Sequence, residues 1–403
     1  MKKITQSALA LCALSLSSAA CAGFYVSGGD LYDGNGNKFV MRGINHAHTW
    51  YTSQLDGAMS GIANTGSNTV RVVLSNGHRW TYNGASDIRN IIQKAKAEKL
   101  VAVLEVHDTT GYGEDSAAAT LASAVDYWIS MKNELVGEED YVIINIGNEP
   151  FGNGQSASAW IDGHKAAITR LRNAGFSHTL MVDAPNWGQD WQNVMRDNAQ
   201  TVFNADPDKN VVFSVHMYEV YNSYNTINNY MTSFANNGMP LVVGEFASTH
   251  KGSNVDEASI MERAETLGVG YLGWSWSGND ASTADLDIVN NWNANSLSGW
   301  GNTLVNGSNG ISSTSVLAGV YTGQSGGGSG GGSGDYPTCS SAAVDPDGDG
   351  WGWENNQSCI VVAGGNAPNG FPYCADASND PDGDGWGWEN SASCVVRGSA
   401  ADY

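Results

Sequence analysis

Two glutamates stand in settings that suit chemistry. Glu149 lies in Gly147-Asn148-Glu149-Pro150 and Glu245 in Val243-Gly244-Glu245-Phe246, 96 positions apart. Each follows an apolar, strand-like run, so each falls where a strand ends. Two acids facing one pocket, with their proton affinities pushed apart, can cleave a glycosidic bond: one protonates the departing oxygen, the other attacks or activates water. A lone strand-end glutamate would be weak evidence, since most acids are solvated or paired structurally. Here the neighbouring strand ends are polar too, with Arg71, Glu105-Val106-His107-Asp108, His216-Met217-Tyr218-Glu219 and Trp274-Ser275-Trp276. Glu105 alternates with His107 inside its strand and reads as a buried ion-pair partner, with Arg71 the candidate cation. Asp108 and Glu219 read as solvated rim residues. His107 and His216 suit hydrogen-bonded structural roles as well as substrate contact. No histidines have the close spacing of His-Glu-x-x-His, so no catalytic metal is expected.

The elements that must position these side chains alternate along the chain. Strand-like runs occupy 39–41, 69–74, 101–104, 141–146, 179–182, 211–215, 241–243 and 271–274. Between them lie helical patterns such as Ile88-Ile91-Ile92-Ala95 and Trp160-Ile161-His164-Ala167-Ile168-Leu171. Eight strands alternating with helices over about 250 residues or more predict an α/β fold of the (β/α)₈ TIM-barrel type, whose reactive groups cluster at the C-terminal ends of the strands. An open doubly wound sheet is the alternative, but Arg42-Gly43-Ile44-Asn45-His46 carries one glycine and no phosphate loop. Ahead of the first strand, 24–26 and 38–40 flank Asp33-Gly34-Asn35-Gly36-Asn37 and predict a hairpin closing the barrel floor.

Composition narrows the partners. Lys and Arg number 19 against 41 Asp and Glu, and a net charge of −22 disfavours nucleic acid and anionic membrane surfaces. With 14 Trp and 16 Tyr, a ligand that is flat and polar at its edges, such as a sugar, fits better than most metabolites. Residues 1–22 read as a secretory leader: Met1-Lys2-Lys3, an apolar run at 8–14, and Ala20-Cys21-Ala22 before a cut at Gly23. Lipid attachment at Cys21 is disfavoured because Ser18, not a large aliphatic residue, stands three positions earlier. An exported, soluble monomer is expected. The remaining cysteines, Cys339, Cys359, Cys374 and Cys394, all lie beyond a Gly/Ser tract. The chain therefore divides into a barrel at 23–322, a flexible linker at 323–335, and a tail.

The motifs of the barrel resemble those of glycoside hydrolase family 5, and within it the secreted bacterial β-1,4-mannanases. The resemblance covers nearly all of 23–322 and rests on Gly23-Phe24-Tyr25-Val26, Met41-Arg42-Gly43-Ile44-Asn45-His46, Thr69-Val70-Arg71-Val72, Leu104-Glu105-Val106-His107-Asp108, Asn148-Glu149-Pro150, His216-Met217-Tyr218, Val243-Gly244-Glu245-Phe246 and Gly273-Trp274-Ser275-Trp276-Ser277-Gly278-Asn279. It implies retaining double displacement, with Glu149 as general acid/base and Glu245 as nucleophile. It further implies that Asn148 contacts the hydroxyl beside the reacting carbon, that Arg71 and Tyr218 hold Glu245 ionised, and that His107 and His216 line the cleaved bond. Trp274, chosen over Trp276, would form the floor beneath the sugar on the non-reducing side. The substrates implied are plant-wall or algal mannan, glucomannan or galactomannan, with no cofactor required. An endo-β-1,4-glucanase using the same acids is the near alternative, and a non-catalytic polysaccharide-binding protein the distant one.

The tail repeats with period 35: Cys339, 345–355 and Cys359 recur as Cys374, 380–390 and Cys394. The units, at 336–362 and 371–397, are too small for an ordinary core, so disulfide staples are expected in an exported protein. Four cysteines allow three pairings, and pairing within each repeat (Cys339 with Cys359, Cys374 with Cys394) is favoured because each unit then closes by itself. Trp351, Trp353, Trp386 and Trp388 are candidates for stacking on sugars, although one of each pair also suits a small core. Gly-Trp-Gly-Trp-Glu and the following Cys resemble carbohydrate-binding module family 10, while the two-cysteine units and the Asp-rich preface depart from that pattern. Asp-x-Asp-x-Asp-Gly is also similar to a calcium loop, but its twelfth position is Asn356 or Ser391 instead of Glu, so plain Asp/Gly turns are preferred.

Overall fold

Eight parallel strands close on themselves in the computed structural model, which describes residues 23–323 and four short strands of the tail. The barrel strands are β1 (Arg42–His46), β2 (Thr69–Leu74), β3 (Val101–Val106), β4 (Val142–Asn145), β5 (Leu180–Asp183), β6 (Val211–Met217), β7 (Leu241–Phe246) and β8 (Gly270–Gly273). Each pairs in parallel with the next, and β8 returns to β1. The helices that follow them are α1 (Leu55–Asn64), α2 (Ala85–Ala97), α3 (Leu121–Ser130), α4 (Ala157–Asn173), α5 (Val194–Ala205), α6 (Tyr224–Asn236), α7 (Glu257–Leu267) and α8 (Gly299–Asn306). The stripes Ile88-Ile91-Ile92-Ala95 on α2 and Trp160-His164-Ala167-Ile168-Leu171 on α4 are the faces these helices bury. Ser156 caps α4 by accepting from the Ala159 N–H.

Alternation along the strands sorts residues into two cores. Val70, Val72 and Leu74 of β2, and Ala102, Leu104 and Val106 of β3, pack outward with the helices. Val101 and Val103 of β3, with Ile143, Met181, Val212, Val242 and Leu272, fill the lower barrel interior. Two positions further along, this inward row changes character: Val103 gives way to Glu105, Ile143 to Asn145, and Met181 to Asp183, all buried. The barrel is thus apolar at its floor and polar at the C-terminal ends of its strands.

Two expectations near the N-terminus need correction. The first barrel strand begins at Arg42, not Phe39; Phe39 and Met41 instead join Phe24 and Leu31 in the floor cluster. Burying each such side chain contributes about 1.5–3 kcal/mol, more than the ladder bonds a longer strand would add. The hairpin turn expected at Asp33–Asn37 is present, closed by the antiparallel Tyr32–Lys38 bridge and the Phe39 N–H to Leu31 carbonyl bond, with the Asp33 carboxylate accepting from the Asn35 and Asn37 N–H groups; its first arm is Leu31–Tyr32 and not 24–26, because Tyr25–Ser27 pairs with Asp30–Tyr32 in a further hairpin around Gly28-Gly29.

The chain divides into two units, Met1–Gly327 and Gly328–Tyr403. In the second, Trp351–Glu354 pairs antiparallel with Gln357–Ile360, and Trp386–Glu389 with Ala392–Val395. The register is the same in both, placing Gly352 opposite Cys359 and Gly387 opposite Cys394. The leader, the linker beyond Gly323, Cys339, Cys374 and the Asp-rich segments lie outside the described residues, as do the side chains of Trp351, Trp353 and Trp388.

Candidate active site

The polar layer is organised by Arg71, which β2 points into the barrel where no water can solvate it. Its Nε donates to Asn145 Oδ1 (3.0 Å), Nη1 to Asn45 Oδ1 (3.0 Å) and Glu245 Oε1 (2.8 Å), and Nη2 to Asn148 Oδ1 (2.6 Å) and Asp183 Oδ2 (3.4 Å). Burial disfavours the guanidinium charge, but Glu105, Glu245 and Asp183 outweigh that effect and hold its proton more tightly than usual. A single cation therefore links residues from β1, β2, β4, β5 and β7.

Glu245 reaches this layer through an irregularity between β6 and β7. Val215 pairs with Val243, yet His216 pairs with Glu245, so Gly244 is the extra residue of a bulge. A Cβ at position 244 would lie 2.3 Å from Ser214 Oγ, which explains why glycine occupies the bulge. The Glu245 carboxylate accepts from Arg71 at Oε1 and from the Tyr218 hydroxyl at Oε2 (2.8 Å). Both expected donors are in place. Even so, burial raises the Glu245 carboxyl above its usual range, against His216 and Arg71, which favour its charge. Arg71 thus favours the ionised form, as expected, while burial works against it.

Glu149 follows β4 with a left-handed φ of +39°, and its backbone N–H donates to Asp183 Oδ2 (3.1 Å). Its side chain receives His216 Nδ1–H at Oε1 (2.7 Å), and among the described residues no side chain donates to Oε2. An oxygen of Glu149 and an oxygen of Glu245 lie within 4.8 Å of one another, so the two acids share one site, as double displacement requires. Asp183 Oδ2 also lies 3.4 Å from His216 Nε2. Burial pulls the His216 imidazole down, but Glu245 and Asp183 push it up to about 10. Glu149, His216 and Glu245 would otherwise be a plausible metal triad. The contacts among them in this structure are the His216–Glu149 hydrogen bond at 2.7 Å and the His216–Glu245 approach at 3.5 Å.

On the opposite side of Glu245, His107 Nδ1 donates to Glu105 Oε1 (2.9 Å), while Arg71 stands 3.8 Å from that oxygen. Glu105 is thus paired first with His107 and only secondarily with Arg71. Trp274 stacks on His107 at 5.9 Å with a partly open face, whereas Trp276 is buried against α1. Trp50 and Trp80 surround the same imidazole at 5.2 and 5.3 Å.

Several residues escaped sequence reasoning. Asp183 ends β5 and touches Arg71, His216 and Glu149, but it stands alone after an ordinary apolar run; only its place in the inward row marks it. Asn45 and Asn145 belong to the same row. Asp108 is not a rim residue: it is buried and holds the loop after β2 by accepting from Ser75 Oγ and the Asn76 and Arg79 N–H groups. Glu219 is not simply solvated either, being paired with His250. Trp187 and Trp191 lie on the loop after β5; their indole N–H groups bond Glu114 and Asn153, and Gly188 packs on His216.

Comparison with known proteins agrees with this geometry. Residues 32–280 match the cellulase family, glycosyl hydrolase family 5, and residues 329–361 and 364–396 match a family described as a cellulose or protein binding domain. The chain is 58% identical over 349 residues to a mannan endo-1,4-beta-mannosidase of Cellvibrio japonicus, covering 85% of this chain and 81% of the relative. It is 54% identical over 345 residues to a protein of the same name from Streptomyces lividans, covering 85% and 89%. Among solved structures, the mannohexaose complex of Thermomonospora fusca beta-mannanase superposes with a TM-score of 0.72 at 53% identity, covering 74% of this chain and 99% of that one.

Proposed function

The chain belongs to glycosyl hydrolase family 5, and from that membership we propose that it is an endo-acting β-1,4-mannanase that cleaves mannan, glucomannan or galactomannan with retention of configuration. The observation that carries the mechanism is the pair Glu149 and Glu245, with oxygens within 4.8 Å across one site. Glu245 attacks the anomeric carbon, and Glu149 delivers a proton from Oε2 to the leaving oxygen. Before attack the crowded pair carries one proton; once Glu245 is esterified its charge is gone, and the pair can accept a proton from the incoming water. Arg71 and Tyr218 aim Glu245, and the imidazolium of His216 fixes Glu149 while screening it from Glu245. Asn148, itself held by Arg71 and donating to Thr110 Oγ1 (2.9 Å), is poised for the neighbouring hydroxyl. Trp274 supplies a ring face for the sugar on the non-reducing side.

The leader and the tail complete the reading. Residues 1–22 direct export, and the two C-terminal repeats hold the barrel near an insoluble polysaccharide. Both repeats fold as matching hairpins around Trp-Gly-Trp-Glu, which supports a shared ligand class. Reducing-sugar release from pure mannan, glucomannan and carboxymethyl cellulose tests the activity. Cleavage of the two mannans with a β-anomeric first product is expected, and activity on carboxymethyl cellulose alone would make the protein an endoglucanase.

A further inference from the structure

The hydroxyl that donates to the nucleophile is supported by a pair of residues outside the catalytic layer. The ring of His250 stacks on Tyr218, with centroids 4.3 Å apart and planes 29° from parallel. His250 Nδ1 donates to Glu219 Oε2 at 2.5 Å, and Glu219 is the residue directly after Tyr218. That bond to His250 draws the Glu219 carboxyl down to about 2. His250 sits in a small hairpin, Thr249–His250 with Ser253–Asn254, which begins just beyond the end of β7. Thr249 in turn bonds Asp285. The contact therefore clasps the segment just after β6, where Tyr218 lies, to the segment just after β7, the strand that carries Glu245.

A phenol with one hydrogen bond can still swing about its side-chain torsions, and a small rotation would move its oxygen off the carboxylate. A second ring held face-on removes that freedom, provided the second ring is itself fixed. Glu219 fixes it. We propose that Glu219 and His250 are positioning residues that hold the Tyr218 hydroxyl on Glu245, so that they set the rate of glycosyl transfer to the enzyme and not the affinity for substrate. The proposal rests on the reading of Glu245 as nucleophile.

The test uses the full chain and a 2-deoxy-2-fluoro-β-mannosyl fluoride extended by one mannose, which traps the covalent enzyme. Label found on Glu245 of the parent by mass spectrometry satisfies the premise; label on another carboxylate overturns the functional reading, and this is established before any variant is compared. In His250→Ala, the trapping rate and kcat on mannan are expected to fall about tenfold with KM within about twofold, the loss of one misaligned bond to a charged group. His250→Phe, which restores a ring face without the Glu219 bond, should recover part of that loss, and Glu219→Gln should fall between parent and His250→Ala. A purely structural hairpin would lower the melting temperature and leave kcat within about twofold, and that result would overturn the proposal. So would a rise in KM at unchanged kcat. Should His250→Ala not fold, the trapping rates of His250→Phe and Glu219→Gln decide: both equal to the parent overturns the inference.

Discussion

Glu149 and Glu245 share one imidazole: His216 Nδ1 lies 2.7 Å from Glu149 Oε1 and 3.5 Å from Glu245 Oε2. A cation between two acids lets them stand close enough for double displacement without either being forced out of the site. Their surroundings nevertheless differ: of the two, Glu245 alone has Arg71 and Tyr218 on its oxygens.

That asymmetry predicts unequal mutants. Glu245→Ala should lower kcat/KM by about 10⁴-fold or more on every substrate, since no covalent step remains. Glu149→Ala should keep its first step on mannosides with good leaving groups, and azide should restore turnover as a glycosyl azide. Equal losses in the two variants, with no rescue, would mean that the roles are misassigned.

Arg71 offers a test of the buried layer. Replacing it with Met leaves Glu105, Asp183 and Glu245 buried without their shared cation, and removing one member of a buried ion network costs about 3–5 kcal/mol. Chemical denaturation should register that loss, with mannanase activity falling in the protein that remains folded. A fully stable Arg71→Met variant would show that the carboxylates are neutralised by other means.

The histidine between the acids should mark the pH dependence of stability. In the fold it holds its proton up to about 10, against an ordinary value of 6.5. A group that binds its proton more tightly when folded stabilises the fold fully below the unfolded value and loses that contribution as pH rises through the folded one. Urea midpoints should therefore decline between about pH 7 and pH 10, and the decline should flatten in His216→Gln. An equally steep alkaline decline in the variant would assign the effect to other groups.

Gly244 is predicted to tolerate no side chain. Its Cβ would meet Ser214 Oγ at 2.3 Å and His216 Nε2 at 3.2 Å. Gly244→Ala should cost about 1–3 kcal/mol in stability, as overpacking does, and should reduce kcat more than KM because Glu245 and His216 sit on either side of the bulge. Thermal unfolding and steady-state kinetics on mannan check both parts.

The tail should matter only on solids. Cleavage within 323–334 is expected to leave hydrolysis of soluble mannan nearly unchanged and to weaken retention on insoluble polysaccharide, because tethering to a bound module acts by raising local concentration. Substituting Trp351 and Trp353 should lower retention, and adding substitutions at Trp386 and Trp388 should lower it further. A folded, fully substituted tail that still held cellulose and mannan as tightly would remove the binding role.

Much was legible in the sequence because it depends on local pattern. Apolar runs at regular spacing marked seven of the eight strands, and the polar residues in and just after them marked Arg71, His107, Glu149, His216, Tyr218 and Glu245, since a barrel collects the C-terminal ends of its strands at one face. What only the tertiary structure decided depends on which side chains meet across that ring. Asp183 carries no local signal and Asn45 was marked only as part of a motif, and both matter because closure brings β5 and β1 to the same guanidinium. His250 lies in a hairpin that sequence pattern does not mark, and its link to Glu219, 31 positions away, exists only where the ends of β6 and β7 stand side by side. Even the ionisation of Glu245 is a tertiary property: burial and the nearby Glu149 oppose its charge, while His216, Arg71 and His107 favour it, and all of these meet only in the closed barrel.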